Sequence, residues 1–224
     1  MANLKGGLRR PRRTILVGAG VSLLVAVALS VAAAFMPRLP GDLPLSRGVQ
    51  SLSSPWLDVF MKTVTFLGDD PVAIGGILAL AGLLAVVRRW KDAAAFLGVL
   101  ALEVLLQGVK LAVDRPRPPA ELVRVLETAA SGSFPSGHAY HAVVFWGLVL
   151  ALLVVDIRPR WLRRAVATFL LVVILLSGVA RVYMGAHWPT DVLGSILLGI
   201  PSVALLVYLR HRFNRVEPVL GERP

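Results

Sequence analysis

The stretch Thr14–Met36, TILVGAGVSLLVAVALSVAAAFM, contains no charged residue and decides the class of fold. A helix needs about 20 apolar residues to cross the hydrocarbon core of a bilayer, and this run supplies them. The cluster of basic residues in front of it also resembles the start of a signal peptide. A signal core is usually only about 7–15 residues long, so we favour an uncleaved first membrane helix. The basic residues are Lys5, Arg9, Arg10, Arg12 and Arg13.

The composition of the 224-residue chain also indicates a membrane protein. Hydrophobic residues make up 56% and charged residues 17% of it, whereas soluble domains carry about 25% charged residues. A net charge of +11 can indicate a nucleic-acid partner, but here the basic residues lie in short clusters beside apolar runs, as they do at the ends of membrane helices. We therefore predict a lipid bilayer and no nucleic acid as the partner. The absence of cysteine excludes disulfides and thiolate metal sites.

Five further apolar stretches follow the first. Apolar runs of this length are rarely strands, so the sequence predicts an all-α integral membrane bundle of six transmembrane helices. The predicted spans are Thr14–Met36, Val72–Val87, Ala93–Val113, Ala139–Val155, Ala165–Val182 and Val192–Leu209. They form one domain, residues 14–209, between a basic tail, residues 1–13, and a C-terminal tail, residues 210–224.

The basic residues predict the orientation of these helices. Sixteen of the 24 lysine and arginine residues fall in segments that six spans place on a single face, and the positive-inside rule makes that face cytoplasmic. The segments run from Lys5 to Arg13, Arg88 to Lys91, Arg158 to Arg164, and Arg210 to Arg223. We expect a multi-pass plasma (inner) membrane protein with both termini in the cytoplasm.

Residues 37–70 form a long outer connection. Its segment Trp56–Leu67, WLDVFMKTVTFL, has apolar residues at helical spacing. It lies in the plane of the membrane interface or packs as an ordinary helix over the bundle. Asp70 and Pro71 then indicate a helix start with Asp70 as the cap, which is a commoner use of such residues than a metal pair of Asp69 with Asp70.

Three polar clusters remain, and the predicted topology places all of them at the same outer face. Polar residues near lipid are costly, so each cluster calls for a reason. The first runs from Lys110 to Pro118 at the end of the third span. The second is Pro135–His138, PSGH, before the fourth span. The third, Arg181–Asp191, joins the fifth and sixth.

The residue types in these clusters suit phosphoryl transfer. Lys110, Arg117 and Arg181 supply three cations for a phosphate and for the charge of its transition state. Ser136 and Gly137 lie at a predicted helix start, where free backbone N–H groups attract anions.

The two histidines of the clusters are candidates for catalysis. Asp191 follows His187 by one helical turn, so it can accept a hydrogen bond from one ring nitrogen and leave the other free to act as a nucleophile. His138 is then available to protonate the leaving oxygen. Taken singly, each group has a more ordinary explanation: a helix cap, an arginine reaching for headgroups, or half of a metal site. Their common location favours the catalytic interpretation.

The combined pattern KxxxxxxRP, PSGH and RxxxxxHxxxD resembles the three-part signature of the type 2 phosphatidic acid phosphatase superfamily. This family includes membrane lipid phosphatases, glucose-6-phosphatase-like enzymes and soluble vanadium haloperoxidases. The resemblance extends from Lys110 to Asp191, and the six-span layout widens it to most of the chain. One position departs from the family pattern, because Ala180 stands where a serine usually precedes Arg181.

The resemblance implies a metal-independent lipid phosphatase, with no cofactor, that forms a phosphohistidine. His187 would be the nucleophile, His138 the general acid and Asp191 the partner that orients His187. The implied phosphate-binding residues are Lys110, Arg117, Ser136, Gly137 and Arg181. A site at the outer membrane surface suits an amphiphilic substrate such as a polyprenyl diphosphate, phosphatidate or phosphatidylglycerophosphate.

Two other functions compete with this one. A phosphotransferase would pass the phosphoryl group to an alcohol or sugar, which an acceptor assay detects. A non-catalytic transporter or lipid-binding protein would line its path with charges midway along the spans, where Glu103 is the main candidate. Glu103 shares a helix face with Lys110 and either pairs with a cation or packs in its protonated form. His141, one turn after His138, faces the same pocket or takes no part.

Overall fold

The computed structural model of the protein describes residues 9–213, and this part of the chain is all-helical, without a β-strand. The all-α class predicted from the sequence is therefore confirmed. The helices are α1 (Arg9–Phe35), α2 (Asp42–Gln50), α3 (Pro55–Phe66), α4 (Asp70–Val86), α5 (Trp90–Val113), α6 (Gly137–Leu152), α7 (Arg160–Tyr183) and α8 (Pro189–Phe213), with a short 3-10 turn at Val154–Asp156. The remainder of both predicted tails lies outside the described residues.

Five helices in this part of the chain are long and apolar enough to cross a membrane: α1, α5, α6 with the turn after it, α7 and α8. The predicted second span corresponds to α4, which has 17 residues. At about 1.5 Å per residue it is only about 25 Å long, less than the roughly 30 Å of a bilayer core. It reaches the length of a span only together with α3, from which it is bent by 49°. The described residues thus contain five spans, or six if the bent pair crosses as one.

The outer connection contains two helices, of which the sequence predicted one. Helix α3 matches the predicted segment 56–67 and packs Met61 against α7, while Trp56 is 70% exposed. Helix α2 was missed because the residues that it buries are polar, Asp42 among them, and a polar buried face gives no apolar periodicity.

The start of α4 differs from the prediction. The helix begins at Asp70, and Asp69 rather than Asp70 occupies the cap position. The prediction of Asp70 as the cap is therefore wrong. The side chain of Asp69 itself makes no capping hydrogen bond to α4.

The basic turns between the helices meet at one end of the bundle, as the topology predicted. Arg89, before α5, pairs with Asp92 and with Asp156 after α6, and Arg210 in the last turn of α8 pairs with the same Asp92. The three motif clusters lie at the opposite ends of these helices. Between the two ends, α6 packs its Val144 and Leu148 into the central apolar core with Phe96 of α5.

Candidate active site

The three motif clusters meet at one end of the bundle because neighbouring helices run in alternating directions. Lys110 lies in the last turn of α5, Arg181 in the last turn of α7 and Asp191 in the first turn of α8. Lys110 is buried, and Arg117, Arg181 and Asp191 all lie close enough to act on its charge. Residues from three distant parts of the sequence therefore form one site.

A tight turn between α7 and α8 carries His187 into this site. Gly185 has a φ of +70°, in the left-handed region that favours glycine, and a Cβ there would lie 2.2 Å from the carbonyl oxygen of Arg124. The backbone amides of Ala186 and His187 both donate to the carbonyl of Arg181, at 3.1 and 3.2 Å. The turn leaves His187 only 2% exposed.

The hydrogen bonds of His187 fix the state of its ring. Its Nδ1 lies 2.7 Å from the carbonyl oxygen of Ser133. A carbonyl only accepts, so Nδ1 carries the proton and Nε2 keeps its lone pair. Burial is the largest effect on this group and lowers the pKa of His187 to about 4, outweighing the opposing effect of the Asp191 carboxylate. The ring is therefore neutral near pH 7, with Nε2 available for attack on phosphorus.

The relation of Asp191 to His187 differs from the prediction. Nδ1 of His187 is 3.7 Å from Oδ2 of Asp191, too far for a hydrogen bond. Oδ2 of Asp191 instead accepts from the Ser133 hydroxyl and from the backbone amide of Trp188, the latter at 2.8 Å. Because Ser133 binds Asp191 with its hydroxyl and His187 with its carbonyl, Asp191 orients the imidazole through Ser133.

A buried arginine holds Asp191 in place. Arg115 pairs with Oδ1 of Asp191 and with Asp42 of α2, and all three side chains are inaccessible to solvent. Thr190 also donates to Asp42. This network joins α2 to the first turn of α8, and it explains why the polar side of α2 faces inward.

One of the predicted phosphate-binding cations, Arg117, lies beside Nε2 of His187. Nη1 of Arg117 lies 3.4 Å from this nitrogen. Its guanidinium is held there by the carbonyl oxygens of Ala186 and Ser131, at 2.8 and 2.9 Å. An anion in contact with Nε2 of His187 would therefore also contact Arg117.

Arg181, the third predicted cation, is already bound to a carboxylate. Its two terminal nitrogens donate to the two oxygens of Glu127, at 2.8 and 2.7 Å, while its Nε has no hydrogen-bond partner among residues 9–213. Burial alone would raise the pKa of Glu127, but its hydrogen bonds with Arg181 and the nearby His138 and His187 hold the pKa below the usual value. Glu127 is thus an anion beside both histidines, where a phosphate would lie.

The PSGH motif forms the start of α6, as predicted. The Ser136 hydroxyl is completely buried and accepts from the Ala139 amide as the helix cap. A Cβ added at Gly137 would meet no other protein atom within 4 Å, so open space lies beside this first residue of the helix. His138 is partly exposed, and its Nε2 is 3.0 Å from Oδ1 of Asp69.

The role of Glu103 was left open by the sequence, and the structure gives it a partner. Its carboxylate lies 2.6 Å from Nδ1 of His141, which in turn stacks on Phe145. Both residues line a cavity of roughly 230 Å³ between α4, α5 and α6 that extends to Gly137. Apolar side chains form much of the remaining wall: Ala73, Ile74, Leu100, Val104 and Leu106.

Comparison with known proteins identifies the family. The sequence profile of the PAP2 superfamily matches residues 92–215, more than half of the chain and all three motif clusters. The chain belongs to the PAP2 superfamily. The resemblance predicted from the motifs is thereby confirmed, and this PAP2 protein is a multi-pass membrane phosphatase.

Two curated relatives show how close the similarity is. Phosphatidylglycerophosphatase B of Bacillus subtilis (strain 168) is 31% identical to this PAP2 chain over 177 residues, 77% of this chain and 83% of the relative. The putative undecaprenyl-diphosphatase YbjG of Escherichia coli (strain K12) is 30% identical over 152 residues, 66% of this chain and 71% of the relative.

Two crystal structures share the PAP2 fold. A transmembrane PAP2-type phosphatidylglycerolphosphate phosphatase from Bacillus subtilis superposes with a TM-score of 0.75 at 26% identity, over 88% of this chain and 98% of that one. LpxE of Aquifex aeolicus gives a TM-score of 0.63 at 26% identity, over 77% of this chain and 98% of that one.

Four residues of the site escaped the sequence analysis: Asp42, Arg115, Glu127 and Ser133. Arg115 stands in an Arg-Pro pair two residues before the Arg-Pro pair of Arg117, and this repetition was a usable signal. Glu127 and Ser133 lie in a loop without periodicity, so nothing in the sequence around them indicates a role in the site.

Ala180 stands where the family pattern usually has a serine. Its side chain is fully buried and packs beside Met61.

Proposed function

We propose that the protein removes phosphate from a membrane lipid phosphate or diphosphate on the extracytoplasmic side of the plasma membrane, through a phosphohistidine at His187. One observation carries the proposal. A neutral histidine with its lone pair on Nε2 lies 3.4 Å from the guanidinium of Arg117. Lys110 and Arg181 lie close enough to Arg117 for their charges to interact with it. A nucleophile and a set of cations therefore share one small space.

The chemistry proceeds in two displacements. Nε2 of His187 attacks phosphorus, the bond from phosphorus to the leaving oxygen breaks, and His138 gives its proton to that oxygen. Water then attacks the phosphohistidine, the bond from nitrogen to phosphorus breaks, and His138 accepts the proton from water. Lys110, Arg117 and Arg181 offset the negative charge on the phosphoryl oxygens in both transition states.

The lipid character of the substrate is supported by the surroundings of the site. The cavity beside Gly137 is mostly apolar and lies between helices that face the bilayer, which suits an acyl or prenyl chain attached to the phosphate. The names of the relatives point to phosphatidylglycerophosphate and undecaprenyl diphosphate as the first substrates to test.

The outward orientation of the site is supported by the charge distribution. The site lies at the end of the bundle opposite the basic turns around Arg89 and Arg210. Since basic turns remain in the cytoplasm, we place both tails there and the site outside.

The test is a panel of phosphatidate, phosphatidylglycerophosphate and undecaprenyl diphosphate, presented to the purified protein in detergent micelles. We expect inorganic phosphate to be released from at least one of them, with equal rates in the presence and absence of EDTA. Absence of phosphate release from the whole panel, in a preparation that remains folded, would refute the proposal. A rate that EDTA abolishes would refute its metal-independent form.

The bond between Glu127 and Arg181 leads to a prediction about affinity. A phosphate can use the terminal nitrogens of Arg181 only after the Glu127 carboxylate has moved away. In the variant Glu127→Gln a neutral amide replaces this competing anion, so we expect KM to fall by roughly tenfold, equivalent to about 1.4 kcal/mol, with kcat little changed. Steady-state kinetics measure both constants. A higher KM would mean that Glu127 serves to hold Arg181 in position.

A further inference from the structure

The turn between α3 and α4 contacts the candidate acid of the reaction. Oδ1 of Asp69 is 3.0 Å from Nε2 of His138. Asp69 occupies the cap position of α4, yet its carboxylate makes no capping hydrogen bond. The side chain is therefore directed to the imidazole instead of to its own helix.

The residue before Asp69 restricts the same ring. A Cβ on Gly68 would lie 2.7 Å from Cδ2 of His138 and 3.1 Å from its Cγ. The backbone of this turn thus packs directly on the imidazole, and only glycine allows that approach. Two consecutive residues, by different contacts, fix where the ring lies.

From these contacts we propose that Asp69 is a positioning residue for His138, so that a carboxylate outside the three family motifs forms a pair with the histidine of the PSGH motif. This inference rests on the proposed function, because it concerns the proton that His138 gives to the leaving oxygen. The Asp69 carboxylate accepts a hydrogen bond from the N–H group at Nε2, which leaves Nδ1 as the nitrogen that exchanges a proton with the substrate.

The charges around His138 show why such a pair is useful. The bonded pair of Arg181 and Glu127 lies on the same side of the site as His138, and Asp69 contacts the ring from the turn between α3 and α4. A phosphate that displaces Glu127 would remove one of these two carboxylates from its place. Asp69 is hydrogen-bonded to the ring from the turn between α3 and α4. It therefore stays in place and stabilises the imidazolium while the substrate is bound.

The test compares leaving groups. Cleavage of phosphatidate expels the alkoxide of diacylglycerol, which needs a proton, whereas cleavage of p-nitrophenyl phosphate expels the stable p-nitrophenolate. In Asp69→Asn we expect kcat/KM for phosphatidate, which reports on the step that expels the leaving group, to fall by about tenfold to a hundredfold. We expect kcat/KM for p-nitrophenyl phosphate to fall less than threefold. The matched control is Asp156→Asn, which removes an exposed carboxylate at the opposite end of the bundle and should leave both rates unchanged.

A second variant changes the position of the ring without changing a charge. In Gly68→Ala the new methyl group displaces His138, so the same selective loss with phosphatidate is expected. A double-mutant comparison adds a further readout: in a His138→Ala background, Asp69→Asn should have no additional effect on kcat/KM, because its role is exerted through the missing ring.

The possible outcomes separate this inference from the proposed function. If the unmodified protein hydrolyses neither compound nor any lipid of the panel, the proposed function fails. If the protein is active and Asp69→Asn slows both compounds equally, or slows phosphatidate further in the His138→Ala background, Asp69 has only a structural role and the inference alone is overturned. Retained hydrolysis of p-nitrophenyl phosphate shows that each variant has folded.

Discussion

Replacement of His187 by alanine is expected to abolish turnover, with kcat for the preferred lipid phosphate reduced by at least about 10⁴-fold. The reason is that the proposed mechanism assigns to His187 the atom that bonds to phosphorus, Nε2, which lies 3.4 Å from Arg117. Inorganic phosphate release measures the loss. In addition, a substrate labelled in its phosphate should leave label on the unmodified protein after rapid denaturation. The bond that holds the label should be stable in alkali and hydrolysed in acid, as the nitrogen–phosphorus bond of a phosphoramidate is.

The matched control for this experiment is His211→Ala. His211 is an exposed histidine in the last turn of α8, at the end of the bundle away from the site, so its loss should leave the rate unchanged. Because His187 is buried, its replacement can also alter folding. His187→Gln retains a polar side chain of similar length and should be equally inactive. Label that persists in either His187 variant would show that another residue is the nucleophile.

Replacement of Arg115 by methionine is expected to produce the largest loss of stability. The substitution keeps an unbranched side chain but removes the guanidinium, which leaves the buried carboxylates of Asp42 and Asp191 without their cation. Removal of one partner from a buried ionic network costs about 3–5 kcal/mol. We expect a markedly lower midpoint of thermal inactivation in detergent, and reduced activity because Asp191 no longer supports Ser133 and His187.

An arginine in a more exposed pair provides the control. Arg124 also binds a carboxylate with two nitrogens, that of Asp58, but both side chains are about one third exposed. Such pairs contribute about 0–1 kcal/mol, so Arg124→Met should shift the midpoint much less. In the double variant Arg115→Met with Asp42→Asn, one of the two unpaired charges is absent, and part of the stability should return. Equal effects of the two arginine substitutions would contradict the assignment of the Arg115 network.

The sequence predicted the parts of this protein that depend on local pattern. The long apolar runs predicted the membrane spans, and the PSGH motif predicted the start of α6, which the structure places at Gly137. Topology then placed the motifs at one end, because charge and span order determine which loops share a face. The predicted second span was the exception, since α4 is too short alone and is completed only by the bent neighbour α3.

Contacts between distant polar residues were beyond the reach of the sequence. Asp191 follows His187 by one turn, and that spacing predicted a direct bond, yet His187 lies before α8 begins and its ring is directed to Ser133 instead. The sequence suggested Asp70 as a helix cap and a metal pair as the alternative use of Asp69 with Asp70, whereas the actual partner of Asp69, His138, is 69 residues away. Such pairings depend on how the helices pack, which no local pattern records.

The loop that carries Glu127 has a consequence for the pace of the reaction. On the side preceding Glu127, Gln50 binds the backbone of Arg124 with both its amide atoms, and the amide of Leu126 donates to the carbonyl of Met184 at 2.8 Å. The main chain is thereby fastened to the turn that bears His187, so the carboxylate leaves Arg181 by rotation of its own side chain. The proposed exchange of carboxylate for phosphate therefore requires the rotation of one side chain, a faster kind of motion than the rearrangement of a loop or lid.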